Sequence, residues 1–229
     1  MSLKERIDPA RRLLESIEAE HAPAVLASSF GAEDMVLTDL ICTSKLGIGI
    51  LTLDTGRLPE ETYRLMQEVR RRYGLYIRVY FPLRSAVEGY VAAHGRNAFY
   101  ESVNLRESCC YIRKVEPLRR ALKGKRAWIT GLRRQQAITR RKLPLSEWDE
   151  DNQLQKFNPL ADWSTDEVWA YIRRFDVPYN ALYDKGYASI GCAPCTRALT
   201  AGEDIRAGRW WWENPETKEC GLHAKRKVA

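Results

Sequence analysis

Four of the six cysteines in this chain form two close pairs, and their spacing indicates metal chemistry. Cys109 and Cys110 are adjacent, and Cys192 and Cys195 form a Cys-x-x-Cys pair. Two preassembled pairs of thiolates suit one soft metal centre. Adjacent ligands are unusual for structural zinc, which prefers a spacer of two to four residues. The spacing therefore favours an iron–sulfur cluster, although spacing alone leaves zinc open.

The other two cysteines differ in their surroundings. Cys220 stands outside both pairs, three residues before His223 in a basic tail, where nearby cations favour a reactive thiolate. Cys42 lies in an apolar helical stretch and is expected in the core. Disulfides are disfavoured because no N-terminal secretory signal is present, and we expect a cytoplasmic protein.

The charge balance indicates an anionic partner. The chain has 229 residues, a formal net charge of +7 and a pI of about 9.1, with arginines in clusters such as Arg70–Arg72. Such a balance suits either nucleic acid or a small phosphorylated substrate, although solvated helix faces would also account for any single cluster. No apolar run approaches membrane-spanning length, so no membrane partner is expected.

Strands alternate with helices through the first part of the chain. Helices are predicted at 3–20, at about 33–45 and after Pro59, and strands at 25–28, 49–53, 75–81 and 127–130. This alternation predicts an α/β fold with a parallel twisted sheet and helices on both faces. A capping box at 164–167 predicts a further helix that Pro178 closes.

The character of the sequence changes towards the C-terminus. We predict an α/β domain at 1–178 that includes the first cysteine pair. A loop-rich segment at 179–229 would hold the second pair and a mobile tail with Cys220. This segment is too short for a core of its own.

Three turns follow predicted strands, where parallel sheets bind their ligands. They are residues 28–34, 54–57 and 131–134. The first joins a strand to a helix N-terminus, so its free backbone N–H groups and its serine hydroxyls favour an anion. It lacks the Gly-Lys-Ser/Thr of a P-loop. After the first cysteine pair, Arg113 and Lys114 lie one helical turn from Cys109 and Cys110, where cations would balance a negative centre.

Five segments together resemble the assimilatory sulfonucleotide reductases. They are Ser28–Asp34, Leu53–Arg57, Arg106–Cys110, Gly191–Cys195 and Glu219–His223. The resemblance covers nearly the whole chain in the right order. It implies an adenine nucleotide alpha hydrolase-like (ATP pyrophosphatase-like) fold with Ser28–Asp34 as a modified pyrophosphate loop. The two cysteine pairs imply the adenylyl-sulfate (APS) branch, which binds one 4Fe–4S cluster, because cluster-free 3′-phosphoadenylyl-sulfate (PAPS) reductases lack both pairs.

The resemblance also implies a mechanism and a set of site residues. Cys220 would attack the sulfur of APS, forming a thiosulfonate and releasing AMP, and thioredoxin or a similar dithiol would release sulfite. The cluster ligands would be Cys109, Cys110, Cys192 and Cys195. The implied substrate-binding residues are Ser28, Ser29, Phe30, Gly31, Asp34, Asp54, Thr55, Gly56, Arg57, Lys114, Gly131, Arg133, Arg206, Arg209 and His223. No nucleic-acid partner is expected, and a homo-oligomer is possible.

Three alternatives remain open. The first is a reductase that accepts PAPS or both nucleotides. The second is an iron–sulfur tRNA-thiolating enzyme, for which a Ser-Gly-Gly-x-Asp-Ser loop is expected where this chain has Ser-Ser-Phe-Gly-Ala-Glu-Asp. The third is a zinc-stapled nucleic-acid-binding module, which would leave Cys220 unexplained.

Overall fold

The computed structural model describes residues 3–137, 140–204 and 206–214. The predicted site residues Cys220 and His223 lie outside these ranges. The helices are α1 (Leu3–His21), α2 (Ala32–Thr43), α3 (Glu60–Tyr73), α4 (Arg84–His94), α5 (Val103–Cys110), α6 (Glu116–Leu122) and α7 (Thr165–Arg174). A π-helical turn, Tyr111–Val115, joins α5 to α6.

Six strands form one sheet in the order β3-β2-β1-β4-β6-β5. They are β1 (Ala24–Ala27), β2 (Gly49–Leu53), β3 (Ile77–Tyr80), β4 (Ala127–Ile129), β5 (Ser146–Asp149) and β6 (Leu154–Phe157). Strand β1 pairs in parallel with β2 and β4, and β4 pairs in parallel with β6. Only the pairing of the edge strand β5 with β6 is antiparallel among the described registers. The predicted α/β class with a mostly parallel sheet is confirmed.

The apolar pattern of the sequence explains which elements lie inside. The buried residues of α1 follow helical spacing, with Ile7, Leu14 and Ile17 on one face. Helix α2 buries nine of the ten residues from Ala32 to Ile41, all except Glu33, as expected for a helix that is apolar on most sides. The main apolar cluster combines these two helices with the sheet strands and α7.

Some boundaries differ from the predicted ones. Helix α2 ends at Thr43, because Lys45 adopts a positive φ of 56° before the chain reaches Gly47. The third strand covers only Ile77–Tyr80, and Gly74, with φ 63°, ends the helix before it as expected. The β5–β6 hairpin was not predicted, since its strands are only four residues long and mostly polar.

The chain divides into two compact units. The first contains Met1–Thr52, Glu60–Arg78 and Leu122–Asp184, and the second contains Leu53–Pro59, Val79–Ala121 and Lys185–Ala229. Both cysteine pairs belong to the second unit. The predicted domains at 1–178 and 179–229 stay a prediction. None of the helices in the described ranges combines the length and apolar composition that crossing a membrane requires.

The predicted capping box of α7 is present and can be tested directly. The Ser164 hydroxyl accepts a hydrogen bond from the Glu167 N–H at 3.1 Å, and the Glu167 carboxylate accepts one from the Ser164 N–H at 2.7 Å. We predict that Ser164→Ala lowers the free energy of unfolding by about 1 kcal/mol. Chemical denaturation measures it. The control is Ser16→Ala, which removes only a bond to a carbonyl inside α1 and should cost less than about 0.5 kcal/mol. Equal losses in the two variants would contradict the capping role.

Candidate active site

The sheet reverses its strand order between β1 and β4. The chain runs outwards from β1 through β2 to β3 and then returns to place β4 on the other side of β1. Ligands of open α/β sheets bind beyond the carboxyl ends of the strands at such a reversal. The loops that leave β1 and β4, residues 28–31 and 130–133, lie at this point and contain several of the predicted site residues.

The loop after β1 is held by its own side chains. The N–H of Ser29 donates to Oδ2 of Asp34 at 2.6 Å, and the Ser29 hydroxyl donates to the same oxygen at 2.7 Å. The N–H of Phe30 donates to the Ser28 hydroxyl at 3.2 Å. Phe30 has a positive φ of 60° and is buried.

A tyrosine hydroxyl occupies the start of α2. The N–H of Ala32, the first helical residue, donates to Oη of Tyr183 at 3.0 Å. The expectation that the backbone N–H groups of this turn are free is therefore wrong for Ser29, Phe30 and Ala32, because each has a partner within the protein. The substrate-binding role of the loop stays a prediction.

Asp34 is the most perturbed carboxyl group of this loop. Burial raises its pKa to about 6, and the hydrogen bonds from Ser29 act in the opposite direction. Gly131, after β4, approaches this carboxyl so closely that a Cβ would collide with Oδ1 of Asp34 and lie 2.9 Å from Cβ of Glu33. The glycine at 131 is required because the two loops meet there.

Arg133 fastens the loop after β4 to its neighbours. Its guanidinium is buried and donates to the Glu33 carboxylate at 2.8 Å, to the carbonyl of Trp163 at 3.1 Å and to the hydroxyl of Thr165 at 3.2 Å. A buried arginine with a charged partner and two further acceptors is held in one geometry. The structure thus gives Arg133 an internal role, and its predicted contact with substrate stays a prediction.

In the second unit, the turn after β2 folds back on itself. Oδ1 of Asp54 accepts from the N–H of Gly56 at 2.8 Å, and the Thr55 hydroxyl accepts from the N–H of Arg57 at 3.2 Å. Gly56 has φ 68°, a conformation that favours glycine. The turn thereby presents Thr55 and Arg57 to the cysteines of the same unit.

All four paired cysteines line one cavity of the second unit. Three of them are buried and Cys195 is half-buried, and none of the described cysteines forms a disulfide. The cavity also contains four cationic side chains and two aromatic rings. Its lining residues are Arg57, Phe99, Arg106, Cys109, Cys110, Arg113, Lys114, Cys192, Cys195 and Trp210.

Helix α5 and the π-helical turn place the first pair and its cations. Helix α5 ends at Cys110, and the wider turn that follows carries Arg113 and Lys114 into the cavity lining. Single π-helical turns are rare and occur frequently at functional sites. The Arg113 guanidinium also donates to the carbonyl of Thr55 at 2.6 Å.

The second pair sits in a short helical turn, Ala193–Cys195, that backbone bonds fix. The N–H of Ala193 donates to the carbonyl of Arg57 at 2.8 Å, and Tyr100 donates its hydroxyl hydrogen to the carbonyl of Pro194 at 2.7 Å. The hydroxyl of Thr55 lies 3.3 Å from Sγ of Cys192. A hydroxyl group therefore lies within hydrogen-bonding distance of one thiol of the cavity.

The cavity disfavours free thiolates but supplies charge to balance them. Burial raises the pKa of Cys195 to about 12 and also raises that of Cys109, while Arg113 acts in the opposite direction on Cys109, as do Lys114 and Arg209 on Cys195. Among residues 3–137, 140–204 and 206–214, no group of three His, Cys, Asp or Glu side chains is arranged to hold a metal ion.

The structure brings together the four predicted ligands with two predicted substrate contacts, Arg57 and Lys114. Arg209 donates to the carbonyl of Ile190 at 3.3 Å, and its backbone N–H donates to the carbonyl of Arg206 at 3.0 Å, so one short turn carries both arginines as expected.

Sequence reasoning missed three members of the cavity. They are Phe99, Arg106 and Trp210. Arg106 had a signal, because it precedes the first cysteine pair by one helical turn. Phe99 had none, and a run of tryptophans such as Trp210–Trp212 indicates packing more often than a site.

Comparison with known proteins identifies the family of this chain. The model of the phosphoadenosine phosphosulfate reductase domain matches residues 23–198. A protein of Allochromatium vinosum named adenosine 5′-phosphosulfate reductase is 57% identical, with 98% of this chain and 88% of that protein covered. A protein of the same name from Burkholderia cepacia is 56% identical, with 96% and 86% covered.

Solved structures agree on the fold. The phosphoadenylyl-sulfate reductase of Candida auris, in a phosphate complex, superposes with a TM-score of 0.71 at 31% identity, covering 82% of this chain and 90% of the other. Yeast FAD synthetase has a TM-score of 0.58 at 16% identity, covering 86% and 67%, and so shares the fold alone. Because the family model matches residues 23–198 and the relatives from Allochromatium vinosum and Burkholderia cepacia are 57% and 56% identical over nearly the whole chain, the chain belongs to the phosphoadenosine phosphosulfate reductase family.

Proposed function

We propose that this protein reduces adenosine 5′-phosphosulfate to sulfite and AMP in sulfate assimilation. The observation that carries the proposal is the single cavity lined by both cysteine pairs, in a chain 57% identical to a protein named adenosine 5′-phosphosulfate reductase. Because the family model is named for the 3′-phosphorylated nucleotide, reduction of PAPS is the second candidate.

The side chains that line this cavity are the kind of donors that a 4Fe–4S cluster would take. Cys109, Cys110, Cys192 and Cys195 are the thiolate donors that such a cluster takes. Adjacent ligands such as Cys109 and Cys110 are unusual for a structural zinc site, and this spacing favours the cluster over zinc. Thiolates would carry negative charge into this buried cavity, and the cations Arg57, Arg113 and Lys114 would compensate that charge.

The bound cluster would supply a fixed charge distribution beside the reacting groups. The chain's own residues would carry the chemistry. Lys114 would place a cation on the phosphosulfate, with Arg206, Arg209 and His223 as further contacts. The substrate contacts predicted in the turns at 28–34, 54–57 and 131–134 stay predictions.

Cys220 would act as the nucleophile because it stands outside both pairs. Its thiolate attacks the sulfur of the phosphosulfate group, so that a sulfur–sulfur bond forms and the bond from that sulfur to the phosphate oxygen breaks. AMP leaves with the electron pair, and Cys220 becomes a thiosulfonate.

The second half of the reaction needs an external dithiol. We propose thioredoxin or a similar dithiol protein, whose thiolate attacks Sγ of Cys220. Sulfite leaves with the electron pair of the broken sulfur–sulfur bond, and the second thiol of the reductant then frees Cys220 and closes a disulfide. Over both steps, the two thiols of the reductant are oxidised to a disulfide, and the sulfate sulfur of APS is reduced to sulfite. The cytoplasmic location and the oligomeric state stay predictions.

The cluster assignment predicts a specific loss of colour. Replacing Cys195 by serine should remove the broad visible absorption and the bound iron of the purified protein, because one thiolate ligand is missing. Absorption spectra and iron analysis measure the effect. The matched control is Cys42→Ser in α2, which should keep both, since Cys42 belongs to the first unit and not to the cavity. A fully coloured Cys195→Ser protein would contradict the assignment.

The proposed activity predicts a covalent adduct and a nucleotide preference. With thioredoxin, the protein should form sulfite faster from APS than from PAPS. Without a reductant, APS should leave one sulfonate group on the peptide that holds Cys220, as mass spectrometry would detect. Cys220→Ser should keep the visible absorption and lose both products. Faster turnover of PAPS would support the second candidate, and an adduct on another cysteine would refute the mechanism.

Lys114 is predicted to stabilise the transition state of the attack. Removing one such charged contact costs about 2–4 kcal/mol, so Lys114→Ala should slow thiosulfonate formation roughly a hundredfold or more while the visible absorption remains. Single-turnover kinetics with APS measure the rate. Lys123→Ala, which removes an exposed lysine outside the cavity lining, is the control and should leave the rate unchanged. An unaltered rate in Lys114→Ala would remove the lysine from the mechanism.

A further inference from the structure

A buried ion pair connects the helix of the first cysteine pair to a segment shortly before Cys220. Arg106 lies in α5 and is 0% exposed. Its Nε donates to Oε1 of Glu213 at 2.9 Å, and its Nη2 donates to Oε2 at 2.9 Å. The Glu213 side chain is 3% exposed. Both charges are removed from water, so this bidentate pair must hold its geometry closely to offset the desolvation cost.

Trp210 completes the arrangement. The guanidinium carbon of Arg106 lies 4.8 Å from the Trp210 ring centroid, and that of Arg209 lies 4.7 Å from the same centroid. Two cations on one indole ring fix its plane. Trp210 is buried and has φ 41°, a conformation that costs about 1–3 kcal/mol and persists only where the surroundings determine it.

We call the Arg106–Glu213 pair together with Trp210 the anchor. Backbone hydrogen bonds connect it to the second cysteine pair. The N–H of Trp210 donates to the carbonyl of Cys195 at 3.2 Å, and the N–H of Glu213 donates to the carbonyl of Trp210 at 2.8 Å. The segment 210–213 is therefore attached to Cys195 through its backbone and to Arg106 through a side chain.

The anchor lies close in sequence to both predicted reacting residues, Cys220 and Lys114. Cys220 follows Glu213 by seven positions in the sequence, and seven positions span at most about 25 Å when the chain is fully extended. Lys114 follows Arg106 by eight residues along the α5 helix and the π-helical turn. The same helical element thus carries both the predicted catalytic cation and the arginine that binds Glu213.

We infer that Arg106 and Glu213 are positioning residues, which together with Trp210 anchor the start of the segment that carries Cys220 relative to Lys114. This inference rests on the proposed role of Cys220. The pair is not proposed to contact the substrate. It limits where the nucleophile can reach, and a shift of about 1 Å at a reacting group can cost roughly a hundredfold in rate.

A purely stabilising role and a positioning role predict different results when both side chains of the ion pair are replaced. Replacing a buried ion pair by apolar side chains of similar size is often neutral or stabilising. The double variant Arg106→Met with Glu213→Met should therefore keep the thermal stability, whereas the bidentate constraint on the segment is lost. Glu213→Gln is the second variant, because it leaves Arg106 and its charge in the cavity lining.

The experiment compares these variants with wild type by four measurements. Visible absorption and the Kd for AMP should stay within about twofold, because neither the cysteines nor the nucleotide contacts are altered. The single-turnover rate of thiosulfonate formation at saturating APS should fall at least about tenfold. Tryptic cleavage after Lys218, between the anchor and Cys220, should accelerate about tenfold with AMP bound. The control is Glu203→Gln, which breaks the more exposed pair with Arg197 and should change none of these.

The outcomes separate the two hypotheses. Wild-type rate and cleavage in both variants would overturn the anchor. So would a loss of rate that occurs only together with loss of colour and AMP binding, since the pair would then be structural. If wild type forms no adduct on Cys220, the proposed function fails, and unchanged cleavage after Lys218 in the variants would then refute the anchor separately.

Discussion

The charge balance of the cysteine cavity is the constraint on which the second unit depends. Four thiols are gathered in a buried space, and burial raises the pKa of Cys195 to about 12. Such groups become thiolates only if cations or a metal centre compensate their charge. Arg57, Arg113 and Lys114 supply that compensation, whereas the charge of Arg106 is already paired with Glu213.

Most of these cations are themselves held by further contacts. Arg57 lies over the ring of Phe99, with its guanidinium carbon 4.9 Å from the ring centroid, and Arg113 donates to the carbonyl of Thr55. Arg106 is paired with Glu213. The turn after β2, helix α5 and the segment 210–213 are thus each tied to the cavity through one of its arginines. Removing the charge from one of them would also loosen the element that it holds.

In the first unit, hydrogen bonds within the protein hold the loops that follow β1 and β4. There the Asp34 carboxyl group, the Tyr183 hydroxyl and the Arg133 guanidinium bind the loop atoms from within the protein. The loops are therefore preorganised, and their conformation does not depend on a ligand to satisfy these particular groups. The close contact of Gly131 with Asp34 adds a steric limit to the same geometry.

The sequence by itself determined the features that local pattern encodes. Apolar periodicity located α1, β1, β2 and β4, and the capping box located α7, because these signals lie within a few residues of one another. The spacing of the cysteines and the resemblance of the motifs identified the four candidate ligands and the family. The hairpin β5–β6 escaped because four-residue polar strands carry little periodic signal.

Only the tertiary structure decided which distant residues meet. Thr55 and Cys192 are 137 positions apart yet lie 3.3 Å from each other, and Arg106 reaches Glu213 across 107 positions. No local pattern encodes such pairs, since they arise from how the elements pack. The loop at 28–34 is a further example, because the sequence predicted free N–H groups at the start of α2. Packing brought the Tyr183 hydroxyl to Ala32 from 151 positions away.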